Sequence, residues 1–409
     1  MRDMKDSGVE WIGEIPNSWN ISKLKYLGQY INGFAFKPED WGDTGKPIIR
    51  IQDLTKSSDN TNYFDGVIPD KYLVTDGDIL VSWAATLDAF IWTKGEGWLN
   101  QHIFKAVPNN AIISPDYFFW LIKLTMQHMN NDNKHGIMMQ HVTLNLFNNF
   151  AVPLPAMHEQ SIIASLLQAK YDQVDALITN VQAQIDKLND YRVSVISSFT
   201  NDTNFQHLKL KRAINNVEQG WSPSPAEPKD DGGWQVLTLA AVKFGRFNFE
   251  NTKPFEGNIE RCKPLSINVG DFLLTRSNTK ELVGQVCIVN HPVQNTIFSD
   301  LIYRLDLNTK YVNPEFMLYY FQSTQMRQQI QRDAHGSSST MVKITHKDID
   351  NWEIDLPDMD KQIKIAEQLN DITRKIDDLI SIKRKKIDKL EQYKRSLIYE
   401  YVTGKREVV

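Results

Sequence analysis

Two stretches of the chain share one apolar rhythm. In the first, Leu167, Val174, Val181, Leu188 and Val195 recur every seven residues, with Tyr171, Ile178 and Ile185 between them. In the second, Leu369, Ile376, Ile380, Ile387, Leu390 and Leu397 keep the same register, interrupted by Thr373, Lys383 and Lys394. A 4-3 spacing sets apolar side chains on one stripe of an α-helix, as in a coiled-coil seam. More than forty residues at ~1.5 Å each predict a rod of roughly 60 Å, too long to bury its stripe on one compact body. Antiparallel pairing of the two stretches is the economical solution; two helices packed separately on their own domains is the alternative. The charged interruptions, chiefly Arg192, Lys383 and Lys394, imply that the seam is not a closed zipper throughout, and they are candidate docking places for a partner.

The two stretches are copies. An offset of 202 matches Pro155 with Pro357, Gln160 with Gln362, Ala164 with Ala366, Asp175 with Asp377 and Tyr191 with Tyr393, without a gap. Upstream the likeness continues more loosely. Gly77-Asp78 corresponds to Gly270-Asp271 at an offset of 193, and Thr143 to Thr345 at 202. The chain is therefore an internal duplication of a variable unit followed by a constant helix.

Within residues 18–153, residues 46–54 read as a short strand and residues 75–83 as a turn and strand, with Gly77 free to take positive φ. Residues 89–92 and 102–107 read as further strands. Ser114-Pro-Asp then opens a helix to about His128, with Ser114 as cap and Pro115 at the first helical position. Residues 204–356 repeat the plan: residues 235–242 match the first strand, residues 268–276 the glycine-aspartate turn and strand, and Asn313-Pro-Glu opens a helix to about Ile330. These patterns predict an α+β chain in four parts: residues 1–155, a long helix over 156–200, residues 201–357, and a second long helix with its tail over 358–409.

Composition narrows the function. Only Cys262 and Cys287 occur, which argues against a disulfide framework or a cysteine zinc site. No run of 18 or more apolar residues exists and residues 1–8 carry no apolar signal core, so a cytoplasmic protein without a membrane segment is expected. The net charge of −4 sits awkwardly with DNA binding, where phosphate neutralisation supplies much of the affinity. Basic residues would have to gather on one face, or a partner would have to supply charge. Catalytic motifs are missing. No phosphate-binding loop occurs, Gly95 and Gly97 lack the third glycine of a dinucleotide site, and His128, His135 and His141 lack metal-site spacing.

Several signatures resemble one family, the specificity subunits of Type I restriction-modification enzymes. They are the opening Asp6-Ser-Gly-Val-Glu-Trp-Ile-Gly-Glu-Ile-Pro-Asn-Ser-Trp19, the helix entries Pro153-Leu-Pro with Glu159-Gln and Leu356-Pro with Lys361-Gln, and the closing Tyr401-Val-Thr-Gly-Lys405. The resemblance covers nearly the whole chain. It implies two target-recognition domains, each reading one part of a bipartite sequence in double-stranded DNA, separated by the antiparallel helices. It also implies a non-catalytic chain that binds no cofactor. Methyltransferase subunits, two of them expected, would dock on the helices and hold S-adenosylmethionine, and restriction translocase-nuclease subunits would join for cleavage. A two-headed coiled-coil scaffold or regulator that binds protein is the alternative; a self-sufficient nuclease-methyltransferase is disfavoured by the missing motifs.

Candidate DNA contacts lie in polar and aromatic loops. In the first unit they are Lys37 after Gly33-Phe-Ala-Phe, Ser82 and Trp83, and Lys134, His135 and Gly136. In the second they are Trp221 and Ser222, then Arg276, Ser277 and Asn278, then His335, Gly336, Ser337, Ser338 and Ser339. Arg276 suits a bidentate contact to guanine and Asn278 one to adenine, while the serine run suits phosphate. For Trp83 and Trp221 a buried anchor is the competing expectation. Lys383-Arg-Lys-Lys386, with no counterpart in the first copy, reads as a solvated face or as a phosphate or partner contact.

Overall fold

The computed structural model describes residues 2–55, 61–84, 86–134, 143–202, 204–224, 233–255, 259–338 and 341–408. It divides into two compact units, Met1–Val181 with Lys385–Val409, and Gln182–Arg384. The rhythm of the sequence becomes two helices of 44 residues each, Met157–Thr200 and Met359–Val402, and each unit takes part of both. Among the described residues no helix is long and apolar enough to cross a membrane.

In the first unit an antiparallel sheet runs in the order Gly28–Asn32, Ile103–Pro108, Ile79–Ser82, Asp88–Ile91. A second sheet pairs Lys46–Ile49 in parallel with Gly97–Leu99. The helix Pro115–Lys134 is fastened to the first sheet by Lys123, whose Nζ donates to Asp88 at 2.8 Å and to the Ala89 carbonyl at 3.1 Å. Trp19, Phe104, Tyr117, Phe118 and Phe147 fill the core, and the chain's end enters it as well: Leu397, Ile398, Tyr401 and Val402 are buried there. Gly404, at φ +73°, lies under Pro16, where a Cβ would come within 2.4 Å of the ring. The opening and closing signatures thus pack on one another.

The second unit repeats this plan. Its antiparallel sheet runs Ile214–Gln219, Ile302–Leu307, Phe272–Thr275, Val286–Ile288, and Gln235–Leu237 pairs in parallel with Thr296–Phe298. It also contains a three-stranded sheet of Ser277–Asn278, Met341–Lys343 and His335–Ser338.

The duplicated residues make duplicated contacts. Gln160 is 1% exposed; its Oε1 accepts from the Ser114 amide at 2.8 Å and its Nε2 donates to the Pro155 and Ile112 carbonyls. Gln362, equally buried, accepts from the Asn313 amide at 2.8 Å and donates to Pro357 and Tyr311. Each glutamine therefore ties the start of a long helix to the cap of the preceding helix. Asp78 accepts from the Thr75 amide and from Lys105 at 2.8 Å; Asp271 accepts from the Asn268 amide and from Arg304 at 3.0 Å. Thr143 and Thr345 cap their helices alike.

In each unit the long helices run against one another in opposite senses. Tyr171 Oη donates to the Lys394 carbonyl at 3.1 Å and Lys394 pairs with Asp175 in the first unit. In the second, Lys383 donates to Gln184 at 2.6 Å and Arg192 pairs with Asp377. Arg192 and Lys394 are equivalent, as are Asp175 and Asp377, so one ion pair is made twice. The charged interruptions are consequently bridged across the pair. Leu167, Val174, Val181, Ile185, Leu369, Ile376, Ile380 and Leu397 are buried, while Ile178, Leu188, Ile387 and Leu390 are half-buried. Leu167 and Leu369 also enter the cores of their own bodies, so the separate-packing alternative describes one end of each helix.

Four expected boundaries are corrected. The strand of residues 46–54 stops at Ile49, because Asp53 accepts from the Arg50 amide at 2.8 Å and starts the helix Ile51–Thr55. Residues 235–242 stop as a strand at Leu237 and turn through Leu239–Ala241. The helix after Ser114 continues past His128 to Lys134. The helix after Asn313 breaks into Pro314–Tyr320 and Thr324–Asp333, since Ser323 caps the second piece by accepting from the Met326 amide.

Replacing Gln362 with Leu strands one amide and two carbonyls, at about 2–4 kcal/mol. Urea unfolding of the full chain should show that loss for Gln362→Leu and a similar one for Gln160→Leu; losses under about 0.5 kcal/mol in both would refute the shared clamp.

Candidate nucleic-acid interface

The two units build the same turn from unlike residues. In the first, residues 100–102 carry the chain from Gly97–Leu99 of one sheet into Ile103–Pro108 of the other; in the second, residues 299–301 carry it from Thr296–Phe298 into Ile302–Leu307. The turn is closed by the same bond, Ile103 amide to Asn100 carbonyl and Ile302 amide to Ser299 carbonyl, both 3.0 Å. A glycine crosses over it. Gly33 donates to the Ile103 carbonyl at 3.1 Å and Phe34 to Leu99 at 2.8 Å; Gly220 donates to Ile302 at 3.2 Å and Trp221 to Phe298 at 3.0 Å. A Cβ on Gly33 would lie 2.0 Å from the Asn100 oxygen, and one on Gly220 2.2 Å from the Phe298 oxygen, so the crossing requires glycine.

A third segment completes each constellation. The Trp83 amide donates to the His102 carbonyl at 3.5 Å, and the equivalent Arg276 amide to Leu301 at 2.8 Å. Trp83 is half-buried, stacked on Phe104 with centroids 5.9 Å apart and tilted against His102. Arg276 lies with its guanidinium 5.7 Å from the centre of the Tyr303 ring; its Nη1 donates to the Asp300 carbonyl at 3.2 Å and its Nε is buried without a partner. Burial raises the Tyr303 phenol, against the pull of Arg276, so the ring stays neutral beside the cation. Ser222 donates to the Asp300 carboxylate and Gln219 Nε2 to the Asp300 carbonyl at 3.4 Å.

The second unit therefore brings three of the candidate stretches together. Residues 219–222 and Arg276 meet at Asp300. The central strand Met341–Lys343 pairs Lys343 with both Ser277 and His335, joining the remaining two. Lys343, His335 and Gly336 are exposed. Trp221 is half-buried against Phe255, with ring centroids 6.2 Å apart.

Ser82 and Ser277 are corrections. Both are fully buried and donate to backbone, Ser82 to Ala84 at 3.1 Å and Ser277 to Val342 at 3.0 Å, so neither hydroxyl faces outward. Asn278 uses its Oδ1 on the Thr279 amide at 2.8 Å. Lys37 is exposed beside Glu39 at 3.7 Å, whereas Phe36, between it and Gly33, is core. His135, Gly136 and Ser339 lie outside the described residues, as do the side chains of Lys134, Ser337 and Ser338. Residues 100–102 and 299–301 were not among the sequence candidates. Their signal was weak: Gln101 and Asp300 align only once the strands at Ile103 and Ile302 are matched. Among the described residues no group of three or more His, Cys, Asp or Glu is placed to hold a metal ion.

This duplicated architecture has known counterparts. A family profile described as the Type I restriction modification DNA specificity domain matches residues 16–187 and again 214–392. The chain belongs to that family. It is a specificity subunit, whose task is recognition of DNA sequence. The Type I restriction enzyme MjaVIII specificity subunit of Methanocaldococcus jannaschii is 22% identical over 424 residues, spanning 96% of this chain and 94% of the relative. The EcoBI specificity subunit of Escherichia coli is 21% identical over 399 residues, spanning 91% and 82%. A chain from a solved structure described as "Structural basis underlying complex assembly and conformational transition of the type I R-M system" aligns over 96% of this chain and 99% of its own length. Its TM-score of 0.66 at 14% identity shows a shared fold.

Gly220→Ala should push the crossing segment off its turn. Hydrogen exchange of the Trp221 and Arg276 amides should accelerate about tenfold or more while the Phe34 amide is unchanged; unaltered rates at all three would show that the crossing tolerates a side chain.

Proposed function

We propose that each unit reads one part of a bipartite sequence in double-stranded DNA and that the paired helices set the length of the unread gap. Methyltransferase subunits, two per complex, dock on the chain and carry S-adenosylmethionine for adenine methylation. Restriction translocase-nuclease subunits join for cleavage, and the complex works in the cytoplasm. This chain supplies recognition and binds no cofactor of its own.

The observation that supports the reading is the turn built twice on one backbone plan but with Trp83 in one unit and Arg276 in the other. A shared scaffold presenting unlike side chains suits two readers of unlike sequences, just as reader spacing matches half-site spacing in dimeric DNA binders. Arg276, Trp221, Ser222, Asn278 and His335 are the proposed contacts of the second reader; Lys37 and Trp83, with Lys134, His135 and Gly136, are those of the first. The serine run 337–339 is assigned to phosphate. A scaffold that binds only protein would need no such divergence, and would fail to confer sequence-specific adenine methylation on a co-purified methyltransferase.

Two experiments test this reading. Arg276→Ala should relax one base position in one part of the methylated sequence, by about 1–3 kcal/mol, and leave the other part intact; a uniform loss across all sequences would reassign Arg276 to structure. Inserting four residues after Gln184 and four after Lys386 lengthens each helix by ~6 Å. At ~3.4 Å per base pair the unread gap in the methylation motif should grow by about two base pairs, and an unchanged gap would sink the spacing role.

A further inference from the structure

The turn at residues 100–102 and 299–301 is closed in both copies by the same main-chain bonds and by the glycine that crosses it, and in the second copy the Asp300 carbonyl also accepts from Gln219 and Arg276. Its middle side chain is therefore free to differ between the copies without disturbing the fold, and it does: Gln101 in the first unit, Asp300 in the second. Both side chains are only partly buried; Gln101 lies against His102, whose ring is tilted against Trp83, and Asp300 lies next to Arg276 and Ser222. Two polar atoms at the second turn, Arg276 Nε and Ser299 Oγ, are buried without a partner, as happens where a polar site is completed by something that binds there.

A carboxylate at a DNA-facing surface repels phosphate and gains nothing from the backbone of the duplex. Donors that it can accept from are found on base edges, chiefly the exocyclic amine of cytosine in the major groove. Ser222 occupies one lone pair of Asp300 and fixes its direction, leaving further acceptor capacity on the same group. A glutamine carboxamide presents one donor and one acceptor, the pair that matches N7 and N6 of adenine.

We infer that Gln101 and Asp300 are the specificity-determining residues at equivalent points of the two readers, Asp300 accepting from cytosine N4 and Gln101 pairing with adenine N6 and N7. The inference rests on the two-part reading proposed above. It assigns to the turn a role that neither residue shares with the scaffold around it.

The test uses the full chain in complex with its methyltransferase subunits, acting on a randomised DNA library whose methylated motifs are sequenced. Asp300→Asn keeps an oxygen for Ser222 but replaces one acceptor with a donor. The preference for cytosine at one base pair should fall roughly tenfold or more, with the remainder of that part and all of the other part unchanged. Gln101→Glu should alter one adenine position in the other part in the same way. In each variant the untouched reader reports that the chain is folded. A wild-type motif in two parts, with both variant motifs identical to it, would overturn this inference and leave the two-part reading standing. So would a loss spread evenly over every sequence. A wild-type motif lacking two parts would overturn the reading and this inference with it.

Discussion

A helix of 44 residues carries more apolar stripe than one body of this size covers, and the rest of the architecture answers to that constraint. The stripe is divided. Near the start of each long helix, Leu167 or Leu369 is buried in the body that precedes it; farther along, Val174, Val181, Ile376 and Ile380 are buried where the two helices adjoin. Such a division needs both helices at once, so a chain with only one copy would expose half a stripe. The same need explains why the chain's last residues return to the first unit, where Tyr401 and Val402 complete a core begun by Ile12 and Trp19.

What is constant between the copies and what varies follow different physics. Constant residues satisfy buried polar backbone or charge: Gln160 and Gln362 at the helix caps, Asp78 and Asp271 at the turns, Asp175 and Asp377 across the helices. Loss of any of these leaves an orphaned donor, acceptor or charge, and the cost falls on folding. Partners of those residues drift within their chemistry, Lys105 to Arg304 and Arg192 to Lys394, because a carboxylate accepts either cation. Variation in kind includes the side chains at the glycine-crossed turn, Trp83 against Arg276 and Gln101 against Asp300.

The sequence made the long helices legible because their signal is repeated and long, and a seven-residue period over forty residues has no strand interpretation. The caps at Ser114 and Asn313 were legible from local residue type. Breaks set by one side chain were not. Asp53 ends a strand by accepting from the Arg50 amide, and Ser323 splits a helix that apolar spacing alone continues through Phe321. The interface was half legible. Loops rich in glycine, tryptophan and arginine pointed to stretches that the fold brings together, yet Ser82 and Ser277 proved to be buried backbone partners, and the turn that joins these stretches depends on sheet register, which no local pattern encodes.

Beside the net charge of −4 stands the way several cations are used. Lys105, Lys123, Arg304, Arg192 and Lys394 are bound to carboxylates inside the units. Arg327 is turned onto the Val283 and Glu281 carbonyls, where burial pushes its pKa down to about 10. These side chains hold the fold and are withdrawn from phosphate. Non-specific affinity for DNA grows with the number of phosphates neutralised, and these six side chains add little to it. For a recognition subunit that is an advantage: discrimination is the difference between right and wrong sites, and a small phosphate contribution common to both leaves base contacts to decide it.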